Sequence, residues 1–216
     1  MSGGGLLILG AGGLAREVLS VVELLGRHRE VTLLDDDPAR WGTQVQGSPV
    51  AGETRLVREY PDHEVLVCLG RGAARRALVE RMTADGVLPR WARIVHPQVP
   101  VPGSCTVGPG SVLLAGVVLT ADVSVGSHVV AMPNVVLTHD AVVADYATLC
   151  AGVTLAGDVT VGEGAYLGTA SSVREHVSVG ADAVLGMGAV ALQDVPAAET
   201  WVGVPARPMT RREVGR

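Results

Sequence analysis

From residue 101 onward an aliphatic side chain recurs at every sixth position: Val101, Val107, Leu113, Leu119, Val125, Ala131, Leu137, Val143, Leu149, Leu155, Val161, Leu167, Val173, Val179, Leu185 and Ala191. Two places before each of these, from Cys105, Ser111 and Val117 through to Ala183 and Ala189, a small or β-branched residue keeps step. A helix would show a period of 3.6 and a half-buried strand a period of 2, so neither explains the run. A period of six fits a flat side followed by a corner, and three sides close a triangular coil of about eighteen residues. The expected fold here is an all-β left-handed parallel β-helix of about five coils, its rungs stacked about 4.8 Å apart. Gly108, Gly126, Gly162, Gly168, Gly180 and Gly186 directly follow inward residues, where a tight turn would suit a residue without a Cβ.

Upstream the pattern changes. An apolar run at residues 5–9 leads into Gly10-Ala11-Gly12-Gly13-Leu14-Ala15, and an amphipathic stretch from Arg16 to Leu25 stops at Gly26. Further apolar runs cover Val31–Leu34 and Val65–Leu69, and residues 71–85 have a helical composition. Strand, glycine turn and helix in this order predict an α/β head built on a small Rossmann-like parallel sheet. Two domains are therefore expected, the head at residues 1–95 and the β-helix with its C-terminal tail at 96–216.

The Gly10-x-Gly12-x-x-Ala15 spacing followed by Asp35 fits a dinucleotide fingerprint, with phosphate at the helix N-terminus and the acid on ribose. Gly10, Gly12, Gly13, Asp35 and Asp36 are thus candidate nucleotide-binding residues. Only about 90 residues precede the β-helix, roughly half of a doubly wound dinucleotide fold, so one nucleotide suits the head better than NAD.

Composition narrows the partners. The chain carries a net charge of −5 with no basic run, which argues against nucleic acid. With no phenylalanine and 28 glycines, its core has to be built from small aliphatic side chains. Cys68, Cys105 and Cys150 lack metal or disulfide spacing and read as reduced thiols. With neither a signal-peptide pattern nor an apolar stretch long enough to span a bilayer, a cytoplasmic location is expected.

Several motifs in order carry a family resemblance: Ile8-Leu9-Gly10-Ala11-Gly12-Gly13, Arg16-Glu17-Val18, Asp35-Asp36-Asp37-Pro38, Gly47-x-Pro49-Val50, Ile94-Val95-His96-Pro97, Thr138-His139-Asp140 and Gly203-Val204-Pro205-Ala206-Arg207. Together they resemble the hexapeptide transferases of the sialic acid O-acetyltransferase and bacillosamine-type sugar N-acetyltransferase family. The resemblance implies a homotrimer that uses acetyl-CoA and no metal, with His139 as general base and Asp140 orienting its imidazole. Residues eighteen apart stack in adjacent coils, so Gly157 is expected one rung from His139 as the oxyanion donor. Thr148 stands where the family has a second histidine near the acetyl group. Gly168, Gly186, Gly203, Pro205, Ala206 and Arg207 match the surface that holds CoA between two solenoids. The family's His-Gly after the glycine pair is Leu14-Ala15 here, a departure within the nucleotide turn. Tyr146 is a possible pocket wall, while Ser171 and Ser172 read as core-layer or surface residues.

The favoured reading is acetyl transfer to the amine of a nucleotide-linked amino sugar. A sugar hydroxyl as acceptor and a non-catalytic sugar-nucleotide scaffold remain as alternatives. A zinc lyase of the γ-carbonic anhydrase type is disfavoured because His128, His139 and His176 lack its ligand spacing.

Overall fold

A computed structural model describes residues 4–209 of the chain. The head is a sheet in the order β3-β4-β2-β1-β5-β6. Its strands are β1 (Leu6–Leu9), β2 (Val31–Leu34), β3 (Gln44–Val45), β4 (Ser48–Gly52), β5 (Glu64–Val67) and β6 (Arg90–Trp91). All neighbours run parallel except the β3–β4 hairpin. Strand β1 alternates between two cores, with Leu6 and Ile8 on one side and Leu7 and Leu9 on the other. A helix covers each side: α1 (Gly13–Leu25) buries Leu14, Val18, Leu19, Val21 and Val22, and α2 (Gly72–Ala84) buries Leu78 and Met82. Gly26 ends α1 with φ 59°, the left-handed cap that the sequence signalled. Strands β4 and β6 pair with β2 and β5 and cover what would otherwise be unpaired edges.

Beyond the head the chain winds into a left-handed β-helix with three parallel faces. Each rung pairs with residues eighteen further on, as in Val118↔Val136, Val136↔Thr154 and Thr154↔Ser172. The first face begins at Ile94–Val95 and continues through 112–113, 130–131, 148–149, 166–167, 184–185 and 200–202. A second face holds 118–119 to 190–191 and a third holds 106–107 to 178–179. Both inward registers are buried from Cys105 to Ala191, and Trp201 and Ala206 close the far end of the same core.

Two details of the sequence reading are corrected. Val101, the first member of the six-residue run, is 42% exposed. The first lap forms no strand to pair with Val118–Leu119, so nothing holds Val101 inward. The glycines after inward residues also serve a different purpose. The left-handed corner residues lie two places later, at Gly110, Gly116, Asp122, His128, Asn134, Asp140 and onward. Gly108, Gly162, Gly168 and Gly180 are needed because a Cβ there would lie 2.4–2.6 Å from the backbone of the next rung. Steric closeness, not φ, selects glycine in that slot. Ser171 belongs to the inner layer, fully buried, whereas Ser172 faces outward.

The head lies on the first face and on the corner between the third and first faces. The core beside α1 runs without a break into Val112, Leu114 and Val130. Arg75 on α2 is fully buried, and among the described residues it pairs with no carboxylate. Its guanidinium donates to the carbonyls of His128 (2.9 Å), Leu69 (2.8 Å), Tyr146 (2.8 Å) and Ala147 (3.0 Å), and to Thr148 Oγ1 (3.0 Å). Burial pushes its pKa down to about 10, so it stays cationic near neutrality. Next to it His128 is edge-on to Trp91 and stacked on Tyr146, with Nδ1 buried and without a hydrogen-bond partner. Burial, with the nearby Arg75 charge, pushes the His128 pKa down to about 4.

Two outcomes follow from this junction. Arg75→Met strands buried carbonyls at about 1–3 kcal/mol each, so thermal unfolding should show the head detaching well below the wild-type transition. The second concerns pH. Unfolded His128 takes a proton near 6.5 but the folded form only near 4. Stability therefore falls as pH drops through that window, by up to about 3 kcal/mol from this group. Urea melts at pH 7 and pH 4.5 check this, and His128→Asn should flatten the dependence.

Candidate active site

The corner between the second and third faces carries the His139–Asp140 pair. Asp140 takes the left-handed conformation at φ 61°, which aspartate tolerates better than most residues. Its Oδ2 lies 2.8 Å from His139 Nδ1. The contact puts the proton on Nδ1 and leaves Nε2 as a free acceptor. Both side chains are exposed, His139 by 64%.

Gly157 is one rung below, as the eighteen-residue addition requires. A Cβ placed on it would meet the imidazole, at 2.3 Å from Cε1 and 2.4 Å from Nε2. The ring thus lies over a bare backbone. The neighbouring amides carry the ladder, Ala156 N–H to Val173 O and Asp158 N–H to His139 O, while that of Gly157 takes no part in it. His139, Asp140 and Gly157 therefore sit together. Sequence reasoning had considered His176 only as a metal ligand, yet its Nδ1 lies 2.8 Å from Asp158 Oδ2 on the same corner. The addition that takes 139 to 157 also takes 158 to 176, so the signal was there to be used.

The other candidates occupy different sides of the coil. Thr148 is on the first face under the head, with its hydroxyl donating to Gly70 O at 3.2 Å. Gly168 and Gly186 lie on the corner that follows the first face, and Gly203 on the turn after its last strand. Ala206 is buried, and its N–H donates to Val190 O at 2.8 Å. Pro205 and Arg207 are exposed, and among the described residues the Arg207 guanidinium donates to the Ala206 carbonyl at 2.8 Å.

In the head, β1 lies between β2 and β5, so the chain leaves it to opposite sides and a crevice opens at the strand ends. Gly10 lies at its floor with φ 100°, and a Cβ there would come within 3.0 Å of Cys68 O. Gly12 precedes α1 without a side-chain cap, and Gly13 starts the helix. The Asp35 carboxylate turns back on this loop, accepting from Ala11 N–H at 2.7 Å and Asp37 N–H at 2.9 Å. Asp36 accepts from the Thr54 amide (2.8 Å) and hydroxyl (2.7 Å) and pairs with Arg81. Burial works to raise the Asp36 carboxyl, but the Thr54 and Arg81 hydrogen bonds outweigh it and hold the pKa below the usual range.

Gly10, Asp35, Asp36, Thr54, Leu78 and Arg81 line a cleft of about 450 Å³. A second cleft of about 470 Å³ opens where head meets first face, lined by Leu14, Glu17, Arg71, Met132, Thr148 and Tyr166 among others. The sequence did not reveal it, because its walls come from both domains. Among the described residues no group of three His, Cys, Asp or Glu side chains converges as a metal site requires, and no helix is long and apolar enough to cross a membrane.

Residues 5–82 match the PglD N-terminal domain family. No curated protein matches the chain. Among solved structures, a histidine-to-asparagine mutant of perosamine N-acetyltransferase from Caulobacter crescentus, in complex with CoA and GDP-perosamine, is 30% identical. It superposes with a TM-score of 0.87, over 95% of this chain and 97% of that one. The acetyltransferase domain of PglB from Neisseria gonorrhoeae, in complex with acetyl coenzyme A, is 29% identical with a TM-score of 0.88, over 97% and 100% of the two chains. WeeI from Acinetobacter baumannii, 23% identical with a TM-score of 0.70, shares the fold. This likeness in sequence and architecture, over nearly the whole of both chains, makes the protein an acyltransferase belonging to the hexapeptide-repeat sugar O-/N-acetyltransferase family.

Proposed function

We propose that the protein transfers an acetyl group from acetyl-CoA to the amine of a nucleotide-linked amino sugar, with His139 as general base. One observation carries this reading: an exposed imidazole fixed by Asp140 and lying over the bare Gly157 backbone, with Nε2 left as an acceptor. As the sugar nitrogen attacks the thioester carbonyl, Nε2 takes its proton. Asp140 holds the imidazole in the required tautomer and stabilises the cation that forms. The Gly157 N–H receives the developing oxyanion, a contribution of about 3–4 kcal/mol. Collapse of the adduct releases the thiol and the amide. The bound CoA and GDP-perosamine of the Caulobacter relative support this donor and acceptor class.

The nucleotide is assigned to the cleft at Gly10, Asp35 and Asp36, with Gly12 and Gly13 at the phosphates. The sugar then points toward the cleft at Thr148. That cleft lies on the first face, and His139 projects from the corner opposite that face. Within one protomer the two cannot meet. A homotrimer resolves this, because a closed ring brings the His139 corner of one copy against the head and first face of the next. The same arrangement brings Gly168, Gly186 and the Gly203–Arg207 turn of one copy toward the His139 corner of another, where CoA would lie. Three unpaired cysteines fit a reducing, cytoplasmic setting.

Mass spectrometry of reactions with acetyl-CoA and a panel of UDP-, dTDP- and GDP-linked amino sugars tests the activity. One of them should gain an acetyl group on nitrogen. Product on a hydroxyl alone would move the assignment to O-acetylation, and no product at all would overturn it. His139→Ala should lower kcat by about 10²–10⁴-fold. Gly157→Ala should fold normally yet lose most activity, since the added methyl displaces only the imidazole. Coexpressing His139→Ala with an Asp36→Ala head variant should restore part of the activity lost in each, because mixed trimers contain one intact shared site.

A further inference from the structure

A second imidazole–carboxylate pair occupies the corner that carries His139. Both histidines are tied to one dipeptide, Gly157–Asp158, from opposite sides. The His139 carbonyl accepts from Asp158 N–H at 3.0 Å, and its ring lies over Gly157. From the other side the His176 amide donates to Gly157 O at 3.1 Å, and its Nδ1 lies 2.8 Å from Asp158 Oδ2. His176 is 72% exposed, so Nε2 is free, and this corner lies away from the head. The slot it fills is left-handed, φ 60°, and holds glycine at residues 152, 164 and 188. The backbone therefore does not require a histidine here. Across the solenoid His128 fills the same slot, but there it is buried by aromatic neighbours. Among the described residues His176 has no aromatic neighbour.

We propose that His176, held by Asp158, is a second catalytic residue of this site: the acid that gives a proton to the sulfur leaving the thioester. The proposal rests on the reading of His139 as base. Nitrogen attack forms the C–N bond, and the carbonyl pair moves to oxygen while His139 Nε2 takes the amine proton. When the pair returns, the C–S bond breaks and its electrons go to sulfur. With Nδ1–H held by Asp158, the donor is the His176 imidazolium: its Nε2–H supplies the proton that makes the thiol and leaves the neutral Nδ1–H imidazole. One imidazole has gained a proton and the other has lost one, and both are open to solvent for exchange. The charged groups around His176 are Asp158, Glu175 and Arg174, then Asp140 with His139 one rung beyond Gly157–Asp158, Asp122 further along the corner, and Asp194 below, whose carboxylate accepts from Ser178 N–H. Carboxylates predominate, which disfavours a contact with the CoA phosphates.

The test compares wild type, His176→Gln, Asp158→Asn and His139→Gln as full-length protein. With acetyl-CoA, His176→Gln should lower kcat about ten- to a hundredfold, leave KM for acetyl-CoA unchanged and remove the alkaline fall of the pH profile. Asp158→Asn should act in the same direction. With the acetyl thioester of 4-nitrothiophenol, whose thiolate leaves unaided, the His176→Gln defect should vanish. A change confined to KM, or an equal defect with both donors, would overturn the proposal. Full activity of His139→Gln would instead sink the reading of the base and leave the His176 comparison intact. An arm independent of turnover follows the histidine ring resonances by NMR: CoA should shift those of His176 and desulfo-CoA should not. Identical responses, or none, would refute contact with sulfur.

Discussion

The stacking of each strand on the residues eighteen places later governs this molecule. Small, flat layers of valine, leucine and alanine fill the triangular interior, and backbone hydrogen bonds join every rung to the next. Because the ladder is parallel and its period fixed, a slip of even one residue would turn a buried register outward along the whole solenoid. The same regularity makes the corners chemically useful. Side chains and bare amides from distant parts of the chain meet there at rung spacing, on a support too uniform to shift.

Against that support the head is held by a different kind of force. Its core beside α1 merges with the first face, and the Arg75 guanidinium gathers carbonyls from the loop after β5 and from the solenoid corner. A buried cation satisfied by neutral acceptors is costly to assemble and specific once made, since any displacement leaves several acceptors unpaired. The hydroxyl of Thr148, between Arg75 and Gly70, belongs to this network. Thr148 is thus tied into the junction between head and solenoid.

Under the proposed function, the separation of the head cleft from the His139 corner makes assembly part of the chemistry. The acceptor would lie on one side of each protomer and the base on the other, so the reacting groups would come together between copies.

The solenoid was legible in the sequence because each side repeats after a constant number of residues, so interior positions recur at a fixed interval. His139 next to Gly157 came from the same arithmetic, and α1 from its amphipathic spacing and Gly26. Where the expectation failed it did so for local reasons: Val101 had no partner strand, and the glycines after inward residues answered to crowding between rungs that no single rung displays. Only the tertiary structure decided that Asp35 braces the glycine loop, that Arg75 and His128 lie in a domain junction, and that the head covers the face opposite His139. Those facts depend on contacts between segments with no common period, and the pattern along a chain records only the faces that each segment buries.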